Sequence, residues 1–188
     1  MRYAGGLYAV MDGNVYMQGD CGPDGEDDEI CFSPLECVRG SMARGIFQAG
    51  SDMCMFAEDA IYKIVSPSAD CLLEYQADLS GVVDAAYRAV KGQKLVFAAT
   101  SNRIYCYSDP LRLDDLGVGI DGIKQIVAGP GIGCDVSLYV LSEDGGVRRI
   151  GVSFSDKVKS DYDKVYNVQK LADGCGSIVA GNGTCYYV

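Results

Sequence analysis

The stretch GLYAVMDGNVYMQG, Gly6 to Gly19, decides the fold. Apolar and small residues alternate on both sides of Asp12-Gly13-Asn14, the period-2 signature of two strands joined by a tight turn. The pattern returns in MCMFAEDAIYKIVS (53–66), LVFAATSNRIYCYS (95–108), SLYVLSEDGGVRRIG (137–151) and SIVAGNGTCYYV (177–188). Aligned on the residue that begins the second strand, the copies put Val15, Ile61, Ile104, Val147 and Cys185 in one column, at steps of 46, 43, 43 and 38 residues. Tyrosine follows at Tyr16, Tyr62, Tyr105 and Tyr186, with Arg148 in its place in the fourth copy. Such spacing fits one supersecondary module stacked on its neighbours.

A further strand is expected before each later hairpin, clearest in IKQIVAG (123–129) and VQKLADG (168–174), then SGVVDAAY (80–87) and, most weakly, CVRGSMARGIF (37–47). Residues 82–95 also fit an amphipathic helix with Val83, Tyr87 and Val90 on one side. Elsewhere helix signals are poor, because 24 glycines punctuate the 188 residues and each costs a helix interior about 1 kcal/mol relative to alanine, so strands are expected. The expected fold is all-β: a single domain over residues 1–188, a compact β-propeller of about five short blades. An arc left incompletely closed and completed by a partner is the alternative.

At IKQIVAGPGIGCDVSLYVLSEDGGVRRIG (123–151) the order of features resembles a repeat of the regulator-of-chromosome-condensation family. It has a strand ending in Ala-Gly, a loop, an apolar strand, an acidic-Gly turn and a Val-x-x-x-Gly strand. VQKLADGCGSIVAGNGTCYYV (168–188) is a shortened version, and the opening hairpin matches the second half of one. The resemblance implies a propeller and, through the founding member, nucleotide exchange on a small GTPase. The family's loop histidine and Trp-Gly ending are missing, because the chain has no His and no Trp. Its short repeats are more similar to the propeller-shaped inhibitors of β-lactamase.

Composition excludes more chemistry than it suggests. Without histidine there is no Ser-His or Cys-His nucleophile pair and no His-based zinc site. The nine cysteines form no C-x₂₋₄-C knuckle, the closest pair being Cys31 and Cys37, and most are expected to be small buried hydrophobes. Acidic neighbours such as Asp114-Asp115 and Asp161/Asp163 carry no local mark of a glycosidase pair. The loop AGPGIGCD (128–135) lacks the Lys-Ser/Thr of a phosphate loop and leads into a strand. The acidic run CGPDGEDDEICF (21–32) fails the EF-hand order, and Asn182-Gly183-Thr184 is expected to be a hairpin turn. No catalytic, cofactor-binding or metal-binding residue is expected.

A net charge of −10 opposes direct nucleic-acid binding, and no segment reaches the roughly 20 apolar residues that a spanning helix needs. The start lacks a secretory signal pattern, so the cytoplasm or nucleus is the expected compartment. The expected function is non-enzymatic: an interaction module that presents blade loops to a protein partner. A structural subunit built into a large assembly and a GTPase regulator are the alternatives. The expected partner-binding residues are Asp27 and Asp28 in the acidic run, and Arg148 and Arg149, the largest basic cluster.

Overall fold

The computed structural model describes residues 7–19, 31–38, 42–65, 72–108, 112–154, 162–181 and 184–188. Among these residues the protein is all-β, with no helix. Two-residue hairpin turns that need positive φ set the meander: Asp12 and Gly13 have φ of 50° and 75°, and Lys91 and Gly92 have 47° and 80°. Both pairs have the backbone of a type I′ turn, whose twist matches that of the flanking strands. The chain divides into two compact units, Met1–Asp78 and Leu79–Val188.

The first unit holds two antiparallel sheets. One runs β1 (Tyr8–Met11), β2 (Asn14–Gly19), β3 (Cys31–Pro34); the other β4 (Gly45–Ala49), β5 (Asp52–Phe56), β6 (Ala60–Val65), β7 (Leu72–Asp78). Val10, Val15 and Met17 of the first sheet cluster with Ile46, Met53, Met55 and Ile64 of the second.

The second unit repeats the meander in β8 (Asp84–Val90), β9 (Gln93–Ala99), β10 (Arg103–Ser108), β11 (Arg112–Gly119) and again in β12 (Ile123–Pro130), β13 (Val136–Ser142), β14 (Val147–Phe154), β15 (Tyr162–Ala172). It closes with the two-stranded β16 (Ile178–Gly181) and β17 (Thr184–Tyr187). Like strands stack on like strands: β8 lies beside β12 and β11 beside β15. Alternate residues Leu95, Phe97, Ala99 and Ile104 of one sheet form a core with Leu138, Val140, Ile150 and Val152 of the next. The other face of that second sheet packs Tyr139, Leu141 and Val147 against Ile178 and Cys185 of the last hairpin.

All five expected hairpins form, at β1–β2, β5–β6, β9–β10, β13–β14 and β16–β17. The aligned residues Val15, Ile61, Ile104 and Val147 are all 0% exposed. Residues 82–95 form strands β8 and β9, so the helical alternative is excluded. One expectation is corrected: residues 168–172 of VQKLADG belong to β15, which pairs with β14 rather than preceding β16 in its sheet. Gln125 takes part of the vacant place, donating from Nε2 to Ile178 O at 2.9 Å and accepting from Ile178 N–H at 3.0 Å.

Three pairs of neighbouring sheets, each within one unit, are also hooked together by a recurring backbone bond. The turn of the repeated hairpin accepts from the segment leading into the next sheet: Ala43 N–H to Gly13 O at 2.9 Å, Ile123 N–H to Ser101 O at 2.8 Å, and Cys175 N–H to Gly145 O at 3.0 Å. Glycine is required where the third hook forms, because Gly145 has φ +79° and a Cβ there would meet Gly174 Cα at 3.0 Å. No helix among the described residues is long and apolar enough to cross a membrane.

Candidate functional site

One cluster of chemistry-bearing residues in the second unit lies where the turn after β8 meets the loop between β12 and β13. Lys91 Nζ lies 3.4 Å from Asp135 Oδ1, joining loops of neighbouring sheets. Asp135 Oδ2 also accepts the Phe154 N–H at 2.8 Å, so the same carboxylate pins β14 beneath. Gly131 lets the loop fold tightly, since a Cβ there would collide with the Cys134 carbonyl. Ile132 is left at 58% exposure on the loop. The glycine-rich stretch 128–135 therefore joins two strands, with no helix N-terminus to bind an anion.

Arg148 and Arg149 are adjacent in β14 and so point to opposite faces of the sheet. Arg148 lies opposite Val140 and Lys170, and its Nη1 donates to Ser142 Oγ at 2.6 Å, bracing its own hairpin turn. Arg149 lies opposite Tyr139 and Gln169 and reaches the β12–β13 loop, donating from Nη2 to Ile132 O at 3.4 Å. Its Nε is buried with no hydrogen-bond partner among the described residues. The two arginines thus do not form one cationic patch. Asp27 and Asp28 lie outside the described residues, as do residues 21–30 of the acidic run.

Asp114 and Asp115 also occupy opposite faces of one strand and cannot act as a carboxylate pair. Asp115 bonds the Arg103 guanidinium and accepts the Gly117 N–H. Burial pushes its acidity one way, but those two contacts outweigh it and hold its pKa below the ordinary carboxylate value. Asp161 and the side chain of Asp163 lie outside the described residues.

One perturbed acid was not apparent from sequence. Asp84 opens β8 and accepts two backbone N–H groups, from Ile126 in β12 and from Ala85, each at 2.9 Å. Burial raises its pKa, and the two N–H bonds offset this only in part. Both of its oxygens are engaged with backbone, so it staples two sheets and has no free oxygen directed at a substrate. Cys54 and Cys106 are buried thiols outside any disulfide, as expected, while Cys134, Cys175 and Cys185 are thiols that stay partly exposed. Cys37 is disulfide-bonded. Among the described residues no group of three or more Cys, Asp or Glu is placed to hold a metal ion. No protein-family model matches the chain, and no curated protein is significantly similar to it.

Proposed function

We propose that the chain is a non-enzymatic β-propeller module that binds a protein partner through loops at one end of its blades. The observation that carries this reading is the recurring hook between successive sheets, at Gly13–Ala43, Ser101–Ile123 and Gly145–Cys175. The hook supports a radial repeat, because three pairs of neighbouring sheets are related by the same kind of contact. A radial repeat brings equivalent loops to one end, where a rigid scaffold displays them. The Lys91–Asp135 ion pair supports such a face between neighbouring blades, with Ile132 as its apolar centre and Arg149 beside it. Aromatic, apolar and arginine anchors ringed by polar groups are what a protein partner engages. Asp27 and Asp28 belong to the proposed contact set as an acidic complement to a basic partner, whereas Arg148 acts on its turn.

The test is affinity capture with the wild-type chain, an Ile132→Asp variant and an Asp27→Lys/Asp28→Lys variant, each checked for an unchanged melting temperature. Selective loss of the same partner from a loop variant is the expected result. A partner set identical in all three, or turnover of a substrate by the purified chain, contradicts the reading.

A further inference from the structure

The last hairpin has two strands where the three complete meanders have four. Its two edges differ. Ser177 and Val188 exchange N–H···O bonds, each at 3.2 Å, which fixes the alternation along the hairpin. Val179 with Tyr186 and Gly181 with Thr184 are then the other hydrogen-bonded pairs. By the same alternation, Ile178 turns its backbone groups away from β17, and Gln125 satisfies them. Cys185 and Tyr187 turn theirs away from β16, toward an edge that no strand among the described residues pairs. Among the described residues this edge carries none of the usual protection. From Gly174 to Val188 there is no Asp, Glu, Lys or Arg, in a chain of net charge −10.

We propose that β17 is a self-association edge, and that two copies of the chain pair β17 to β17 as antiparallel strands. The outward groups are self-complementary. With Tyr186 opposite Tyr186 of the second copy, Cys185 falls opposite Tyr187, and Tyr187 opposite Cys185. Each of these pairs can exchange two N–H···O bonds, while Tyr186 occupies the closer, non-hydrogen-bonded site. The product is an antiparallel sheet of four strands, the number in each complete meander. It closes on itself, because the β16 edge on either side is capped by Gln125.

On the outer face the pairing aligns Val179, Tyr186, and Tyr186 and Val179 of the second copy in one apolar row. In the single chain Val179 is 60% and Tyr186 59% exposed. Facing aromatic residues at a non-hydrogen-bonded site are a favourable cross-strand pair. Two strongly acidic chains repel least where neither carries charge, which is why this edge rather than another is the meeting point. The proposal is independent of the loop-face reading above, since it involves a sheet edge and none of those loops.

The test is light scattering coupled to size exclusion on the full chain, over about a hundredfold range of concentration so that mass action is visible. The wild type is expected to move from monomer to dimer, and never beyond. Tyr186→Lys and Tyr186→Glu each put like charges in direct opposition and are expected to weaken the dimer about tenfold or more. An equimolar mixture of the two is expected to restore a heterodimer. Tyr187→Pro removes an outward N–H that β16 does not use, so it is expected to abolish the dimer and keep the circular dichroism spectrum of the fold. A wild type that stays monomeric throughout overturns the proposal. So do charged variants that dimerise like the wild type, or a Lys/Glu mixture that remains monomeric.

Discussion

The hairpins β13–β14 and β16–β17 are written in one sequence pattern and stand in different surroundings. The first is flanked by β12 and β15 and covered on both faces, and its strand β13 is buried at every position. The second has one covered face and, among the described residues, one edge that no strand pairs. At the equivalent position Val147 is fully buried, while Cys185 is partly exposed. Local pattern therefore sets the hairpin and its turn, and the neighbouring sheets set how much of it leaves water. Burial contributes about 1.5–3 kcal/mol for each large aliphatic side chain, so the inner hairpin should dominate the stability of the second unit.

The sharpest way to break the comparison is a matched truncation. Leu138→Ala is expected to cost about 2–5 kcal/mol through the cavity it leaves, whereas Val179→Ala should change stability by about 0.5 kcal/mol or less. Urea denaturation of both variants measures the difference directly. Next in size are the glycines of the approaching loops. Gly131→Ala drives a Cβ into the Cys134 carbonyl and should cost about 1–3 kcal/mol. Gly176→Ala meets only Val188 O at 3.6 Å, an ordinary contact, and should be far milder.

Asp84→Asn should then cost about 1–3 kcal/mol at neutral pH, because the amide nitrogen cannot accept an N–H bond. Its pH dependence has a definite sign. The folded Asp84 pKa is raised, so its contribution to stability falls as pH climbs from the ordinary carboxylate value through the folded one. Asp115, with a lowered pKa, behaves oppositely: its contribution is present above the ordinary value and is lost as pH falls through the folded one. Stability measured against pH should accordingly lose a falling limb in Asp84→Asn and an acid-side rise in Asp115→Asn. The smallest effect is expected at Lys91, whose positive φ suits glycine or asparagine. Lys91→Asn should leave the melting temperature within a few degrees of the wild type, since it relieves backbone strain while removing an exposed ion pair with Asp135.

The hairpins were legible because a period-2 pattern around an Asp-Gly or Ser-Asn turn leaves few alternatives. The fourth strands were not. In β7 most positions are exposed or half-exposed, so no apolar alternation marks it, and β15 is broken from regular register at three points along β14. VQKLADG misled through proximity: it lies just before the last hairpin in sequence, yet its backbone stays in the ladder of β14. Asp84 and Gln125 were hidden for a different reason. Each acts by bonding backbone about 40 or 50 residues away, and such a role depends on sheet stacking that no local pattern encodes.

The proposed radial repeat rests on one backbone contact repeated at three sheet junctions, a claim that amide hydrogen exchange tests most directly. Ala43, Ile123 and Cys175 are the donors of the three hooks, and two of them, Ala43 and Cys175, lie outside any strand. Stacked sheets predict slow exchange at all three, comparable with neighbouring strand amides, and accelerated exchange at Cys175 when Gly145→Ala disturbs its acceptor. Exchange at Ala43, Ile123 and Cys175 as fast as in an unstructured peptide would contradict the claim.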